Sequence, residues 1–146
     1  IGTFQSGRPF TIIDGDFSAV LVGTTDPRPD LAPGATHDDQ TTSGSTSSRI
    51  DNYLNPDAFV SSGTKFGNLG RNTVIGPDQR RVDLSISKLT RLMENRSLEF
   101  RIEAYNVTNT PSFRNPGRDI AAANFGQITR MRGGPRVIQL GLKFRF

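Results

Sequence analysis

VIQLGLKFRF, residues 137–146, alternates without a break: Ile138, Leu140, Leu142, Phe144 and Phe146 are separated by Gln139, Gly141, Lys143 and Arg145. A strand with one face out of water gives that period of two. Two other stretches repeat it. In LEFRIEAYNV (98–107), Leu98, Phe100, Ile102 and Ala104 share one face against Glu99, Arg101, Glu103 and Tyr105. In VDLSISKLTRL (82–92), Val82, Leu84 and Ile86 are set against Asp83, Ser85 and Ser87, and MENR (93–96) is a connection of hairpin length. Strands of this length suit a tilted membrane crossing, which needs about 9–11 residues. Soluble strands centre near 5–6 residues.

Working outward, the sequence predicts an all-β fold of antiparallel strands over about 1–13, 82–92, 97–107 and 136–146. Two long connections, 14–80 and 108–135, are rich in Gly, Ser, Thr, Asp and Pro and fall on the same end of the strands. The short turn falls on the other. Long extracellular loops opposite short periplasmic turns describe an outer-membrane barrel. Under that topology Phe100, Phe144 and Phe146 belong to an aromatic girdle near the periplasmic end.

Composition agrees with this reading. Only 34% of the 146 residues are hydrophobic, the mean hydropathy is -0.44, and no run of 18 apolar residues exists to form a transmembrane helix. Barrel strands escape that test, because half of each is polar. The net charge of +4 invites a nucleic-acid partner, but the 15 arginines are scattered from Arg8 to Arg145, and no nucleic acid is expected. The chain starts on Ile1 without a leader and reads as a mature product or a piece of something longer.

Register has an electrostatic consequence. With the apolar face in hydrocarbon, Glu99, Arg101 and Glu103 must look into a wet interior, since an Arg facing lipid at mid-depth costs about 2–4 kcal/mol. Four open strands would also leave edge N–H and C=O groups unsatisfied, at several kcal/mol each. The expected partners are therefore outer-membrane lipid and the remainder of a closed barrel. An antiparallel sheet on a soluble core gives the same alternation. That makes a soluble or surface-exposed β-rich adhesion or binding module, without transport, the rival reading.

Catalytic and metal chemistry is weakly represented, and the expectation is a non-enzyme without catalytic residues, metal or cofactor. There is one His and no Cys, so a Ser–His–Asp triad could use only His37, and no G-x-S-x-G elbow exists. His37-Asp38-Asp39 and Asp14-Gly15-Asp16 lack the rest of a ligand set. GNLGRN (67–72) has no following Lys-Ser/Thr to hold phosphate and reads as a turn. Asn106, Asn109 and Pro111 read as the break from strand to loop.

The order QSGRPFTI (5–12), DPRPDL (26–31), NYLNPDAF (52–59), FGNLGRNTVIGP (66–77), VDLSISK (82–88), LEFRIEAYNVTNTPSF (98–113), FGQITR (125–130) and PRVIQLGLKFRF (135–146) resembles the C-terminal barrel segment of TonB-dependent outer-membrane receptors. The Oar-like branch, with a carboxypeptidase regulatory-like N-terminal domain, is the most similar group. The resemblance implies a barrel of about twenty-two strands around a plug, with energy from TonB through an N-terminal part not in these residues. It implies a large or carbohydrate-type substrate. It also implies that Ile138, Leu140, Leu142, Phe144 and Phe146 form a signal read by the barrel-assembly machinery. Loop residues expected to touch substrate are Asn52, Tyr53, Phe59, Phe66, Phe113 and Phe125, because aromatic side chains give contact area at low entropic cost.

Overall fold

Three long antiparallel strands dominate the computed structural model, which describes residues 1–15 and 26–146. Strands β1 (Gly2–Gln5), β2 (Pro9–Phe10), β3 (Asp30–Leu31), β4 (Phe59–Val60), β5 (Val74–Ile75) and β6 (Gln79–Val82) are short. Strands β7 (Leu84–Met93), β8 (Arg96–Tyr105) and β9 (Val137–Arg145) carry nine or ten residues each and lie in the order β7-β8-β9. Among the described residues no helix is long and apolar enough to cross a membrane, which says nothing of strands. The chain divides into two units, one of 1–5, 79–112 and 132–146, the other of 6–78 and 113–131.

In the first unit, β7 and β8 are joined by the two-residue turn Glu94-Asn95. Pairing runs from Leu84↔Ala104 to Arg91↔Ser97, then slips so that Met93 faces Arg96. The extra residue, Leu92, is a bulge, which adds twist beside the turn. β8 pairs with β9 without a slip, from Ser97↔Arg145 to Tyr105↔Val137. β1 pairs with β6, which runs into β7 through Asp83.

Asn106 ends β8. Its φ of 52° is left-handed, a conformation that Asn tolerates better than most residues. The backbone N–H donates to Asp83 Oδ1 at 2.8 Å. The side chain accepts from the Thr110 N–H at 3.1 Å and donates to the Thr110 carbonyl at 3.2 Å. A second left-handed Asn, Asn109 (φ 50°), accepts from the Arg136 N–H at 3.2 Å where β9 is about to begin. Strand end and strand start are thus fixed by two asparagine side chains.

The segment expected as one strand over 1–13 is instead two short ones. β1 pairs with β6 and β2 pairs with β5, so the continuous ladder is interrupted at Ser6–Arg8. Gly7 lies so close to the Gly76 carbonyl that any Cβ there would collide with it, and Pro9 has no N–H for a ladder.

The second unit differs from the long irregular loops expected over 14–80 and 108–135. Phe10, Ile12, Tyr53, Leu54, Ala58, Phe59, Leu69, Val74 and Ile128 form one buried cluster, with Phe113, Ile120 and Phe125 packed against it. Its scaffold is made of small pieces. A short helix, Thr46–Asp51, starts with Ser45 Oγ accepting from the Ser48 N–H at 3.3 Å. The β3–β4 pair sits between turns, and the Tyr53 N–H reaches the Gly126 carbonyl at 2.8 Å. Gly126 (φ 74°) has Leu54 at 3.0 Å from where a Cβ would be, so conformation and space both require glycine. GNLGRN is a turn in this unit: Leu69 is fully buried, and the backbone at Gly67 presses on the Arg28 and Pro29 carbonyls.

Candidate functional site

Directly opposed residues of a sheet share a face. Leu98↔Phe144, Phe100↔Leu142, Ile102↔Leu140 and Ala104↔Ile138 therefore make a continuous apolar surface, extended on β7 by Ile86 and Leu84. This surface is open to its surroundings: Leu140 is 71% exposed, Leu142 70% and Ile138 62%. A contiguous apolar face of this kind marks a contact with membrane or protein. Phe144 lies level with Leu98 and its ring stacks on Phe146 at 6.1 Å, with Phe100 one rung farther along the same face. All five residues expected in the assembly signal are exposed; the first four lie on this face of β9, and Phe146 follows the strand.

The other face carries charge that neutralises itself. Arg101 lies 2.8 Å from Glu99 and 3.6 Å from Glu103, and Tyr105 donates its hydroxyl hydrogen to Glu103 at 3.1 Å. Arg145 of β9 joins Glu99 at 3.4 Å. Period two puts Glu99, Arg101 and Glu103 of β8 on one side. The Arg145 contact was missed, because it depends on the register between strands that lie far apart in sequence. In an enclosed aqueous interior such a ladder keeps its charges hydrated and paired.

β7 departs from clean alternation. Lys88 stands opposite Phe100 and Thr90 opposite Leu98, on the apolar side, while Leu89 is on the polar side. A Lys at that position can lay its methylenes along the Phe100 ring and carry its ammonium toward water.

The six loop residues expected to meet substrate are not brought together as a surface. Tyr53 and Phe59 are buried, at 5% and 8% exposure, and the Tyr53 hydroxyl donates to the Ile75 carbonyl at 3.0 Å. Burial pushes the Tyr53 phenol up, opposed by the Arg49 guanidinium 4.7 Å from its ring centre. Phe59 meets Phe125 edge to face at 5.5 Å, and Phe113 is half-buried against the cluster. The expectation is corrected for Tyr53 and Phe59, whose aromatic area is spent in the core; Phe113 and Phe125 are half-buried and pack against it. Phe66, 73% exposed, and Asn52 remain accessible.

His37 Nδ1 lies 2.8 Å from the Gln40 amide nitrogen. The Thr36 hydroxyl and N–H, at 2.7 and 2.8 Å, hold the Asp39 carboxylate below its usual range. Asp14 is fully buried and accepts from Ser61 at 2.6 Å, whereas Asp16 lies outside the described residues.

A family model described as an outer membrane beta barrel domain matches residues 1–139. Neither the curated proteins nor the solved structures give a match to the chain. The family fits the open apolar face and replaces the soluble form of the rival reading. Long alternating strands, an uncovered greasy face and a matched charge ladder thus converge with the comparison: the chain belongs to the outer membrane β-barrel domain family, and its place is the bacterial outer membrane.

Proposed function

We propose that the chain forms the C-terminal barrel segment of an outer-membrane TonB-dependent receptor of the Oar-like type. One observation carries the need for further barrel. β8 is hydrogen-bonded on both sides, while the outer edges of β7 and β9 have no strand partner over their length among the described residues. In hydrocarbon each unpaired N–H or C=O costs several kcal/mol, so β9 requires a neighbouring strand to close against. The ordered sequence blocks from QSGRPFTI to PRVIQLGLKFRF supply the receptor part of the reading.

In this role the chain contributes closure through β9, and the run Ile138 to Phe146 is what the assembly machinery reads. The remaining barrel and plug, and TonB acting through the N-terminal part, complete the transporter. The chain itself is not an enzyme. A large or carbohydrate-type substrate would meet the exposed Phe66 and Asn52. The test is crosslinking in cells: the intact protein in its outer membrane is expected to give a covalent adduct with TonB. A correctly assembled barrel that never crosslinks to TonB would leave a surface adhesion role without transport.

A further inference from the structure

Asp83 joins β6 to β7, and its backbone shows how the sheet continues. Its N–H donates to the Ile1 carbonyl at 2.8 Å, and its carbonyl accepts from the Ile1 nitrogen at 2.6 Å. The Val82 carbonyl turns the other way and accepts from the Val107 N–H at 2.8 Å, just past the end of β8. In hydrogen-bonding terms β6 and β7 are therefore one strand, with β8 on one side and β1 on the other. Gly2 pairs with Val82 and Phe4 with Arg80, so β1 is antiparallel to this strand. Followed backwards from Gln5 to Ile1, it heads along the uncovered edge of β7.

Successive residues of a strand present their N–H and C=O to opposite sides. With Asp83 turned toward β1, Ser85, Ser87, Leu89 and Arg91 turn theirs to that same side, where the described residues provide no strand. In hydrocarbon such a row is costly to leave unpaired. We propose that the residues leading into Ile1 in the intact protein form the strand on this edge, in the register that β1 sets. The residue before Ile1 then meets Leu84, the third before it Ile86 and the fifth Lys88, all on the apolar face. The second and fourth meet Ser85 and Ser87 on the polar face. Phe4, 72% exposed, already extends the apolar face on β1, two residues from the Gly2↔Val82 pair. The proposal rests on the reading of the chain as part of a larger barrel. It adds that the β7 edge is covered by the neighbour in sequence, which leaves β9 to meet the distant strand that closes the barrel.

Disulfide crosslinking of the intact protein in outer membranes tests the register. Asp83 and Ile1 exchange hydrogen bonds, so Ile86 and the third residue before Ile1 form a non-hydrogen-bonded pair, with Cα atoms about 4.5 Å apart and within disulfide reach. Cysteines at these two places should oxidise to a disulfide in most of the folded protein, with single-cysteine variants as background. The pair Phe4→Cys and Arg80→Cys, opposed within β1 and β6, is the positive control. Ile86→Cys combined with a cysteine at the second or fourth residue before Ile1, on the opposite face, should crosslink at least tenfold less. Leu84→Cys with a cysteine at the residue before Ile1 is a second on-register pair, and heat-modifiable mobility reports the assembly of each variant. Absence of both on-register disulfides in assembled protein, when the control pair forms, would overturn the proposal, as would equal crosslinking to the off-register positions. The receptor role fails separately: an on-register disulfide in a barrel that never crosslinks to TonB keeps this register and removes that role.

Discussion

Leu140→Arg should sharply reduce the amount of folded protein in the outer membrane, whereas Gln139→Arg, one residue away, should leave it close to the parent level. Leu140 stands opposite Ile102 on the open apolar face, and Gln139 stands opposite Glu103 on the charged one. Its place is near the middle of the nine residues of β9. An Arg facing lipid near the midplane costs about 2–4 kcal/mol, a large share of the roughly 5–15 kcal/mol by which a folded domain is stable. At Gln139 a new guanidinium meets Glu103 across the ladder and water beyond. Heat-modifiable mobility of outer-membrane fractions measures both variants. Equal loss in the two would mean that the faces are not distinguished by their surroundings.

Leu54→Ala should loosen the second unit by about 2–5 kcal/mol, the usual cost of a large-to-small change in a closed core. Leu54 is completely buried, and Gly126 packs its backbone against it. The cavity would have no flexible neighbour to fill it from the Gly126 side. Limited proteolysis should then cut within 6–78 at protease levels the parent resists, while the heat-modifiable barrel band persists, since the strand pairs β7-β8-β9 contain none of this cluster. Phe66→Ala, at a residue 73% exposed, is the control and should shift resistance by no more than about 0.5 kcal/mol. Unchanged proteolysis of Leu54→Ala would show that the cluster does not hold this unit together.

The two units differ in how far the sequence exposes them. Strands β8 and β9 are legible because apolar and polar positions alternate along them residue by residue, whereas β7 keeps that period only from Leu84 to Ser87. Leu98 to Ala104 and Ile138 to Phe144 announce both their faces and, through matching apolar positions, their pairing. The bulge at Leu92 is not legible, since Leu89, Leu92 and Met93 give no unbroken alternation there. The second unit carries no period at all. Its strands are two residues long, as at Phe59–Val60 and Val74–Ile75; they supply Phe10, Phe59 and Val74 to the core, a 3-10 segment supplies Ala58, and the other core residues lie in irregular backbone. Isolated aromatics such as Tyr53 and Phe59 in a Gly- and Pro-rich stretch look like loop side chains, and long-range packing, including that with Phe125 and Gly126, buries them.

Each side of the long strands meets a different medium if the apolar face lies against the bilayer. The chain has no cysteine, so single Cys substitutions at Leu140, Leu142, Gln139 and Lys143 accept one spin label each. With the intact protein in lipid bilayers, electron paramagnetic resonance should find the labels at 140 and 142 open to oxygen dissolved in hydrocarbon and shielded from a water-soluble nickel relaxant. Labels at 139 and 143 should show the reverse. Wet labels at 140 and 142, or labels at all four positions with the same accessibility, would contradict a sheet whose apolar face lies against the bilayer.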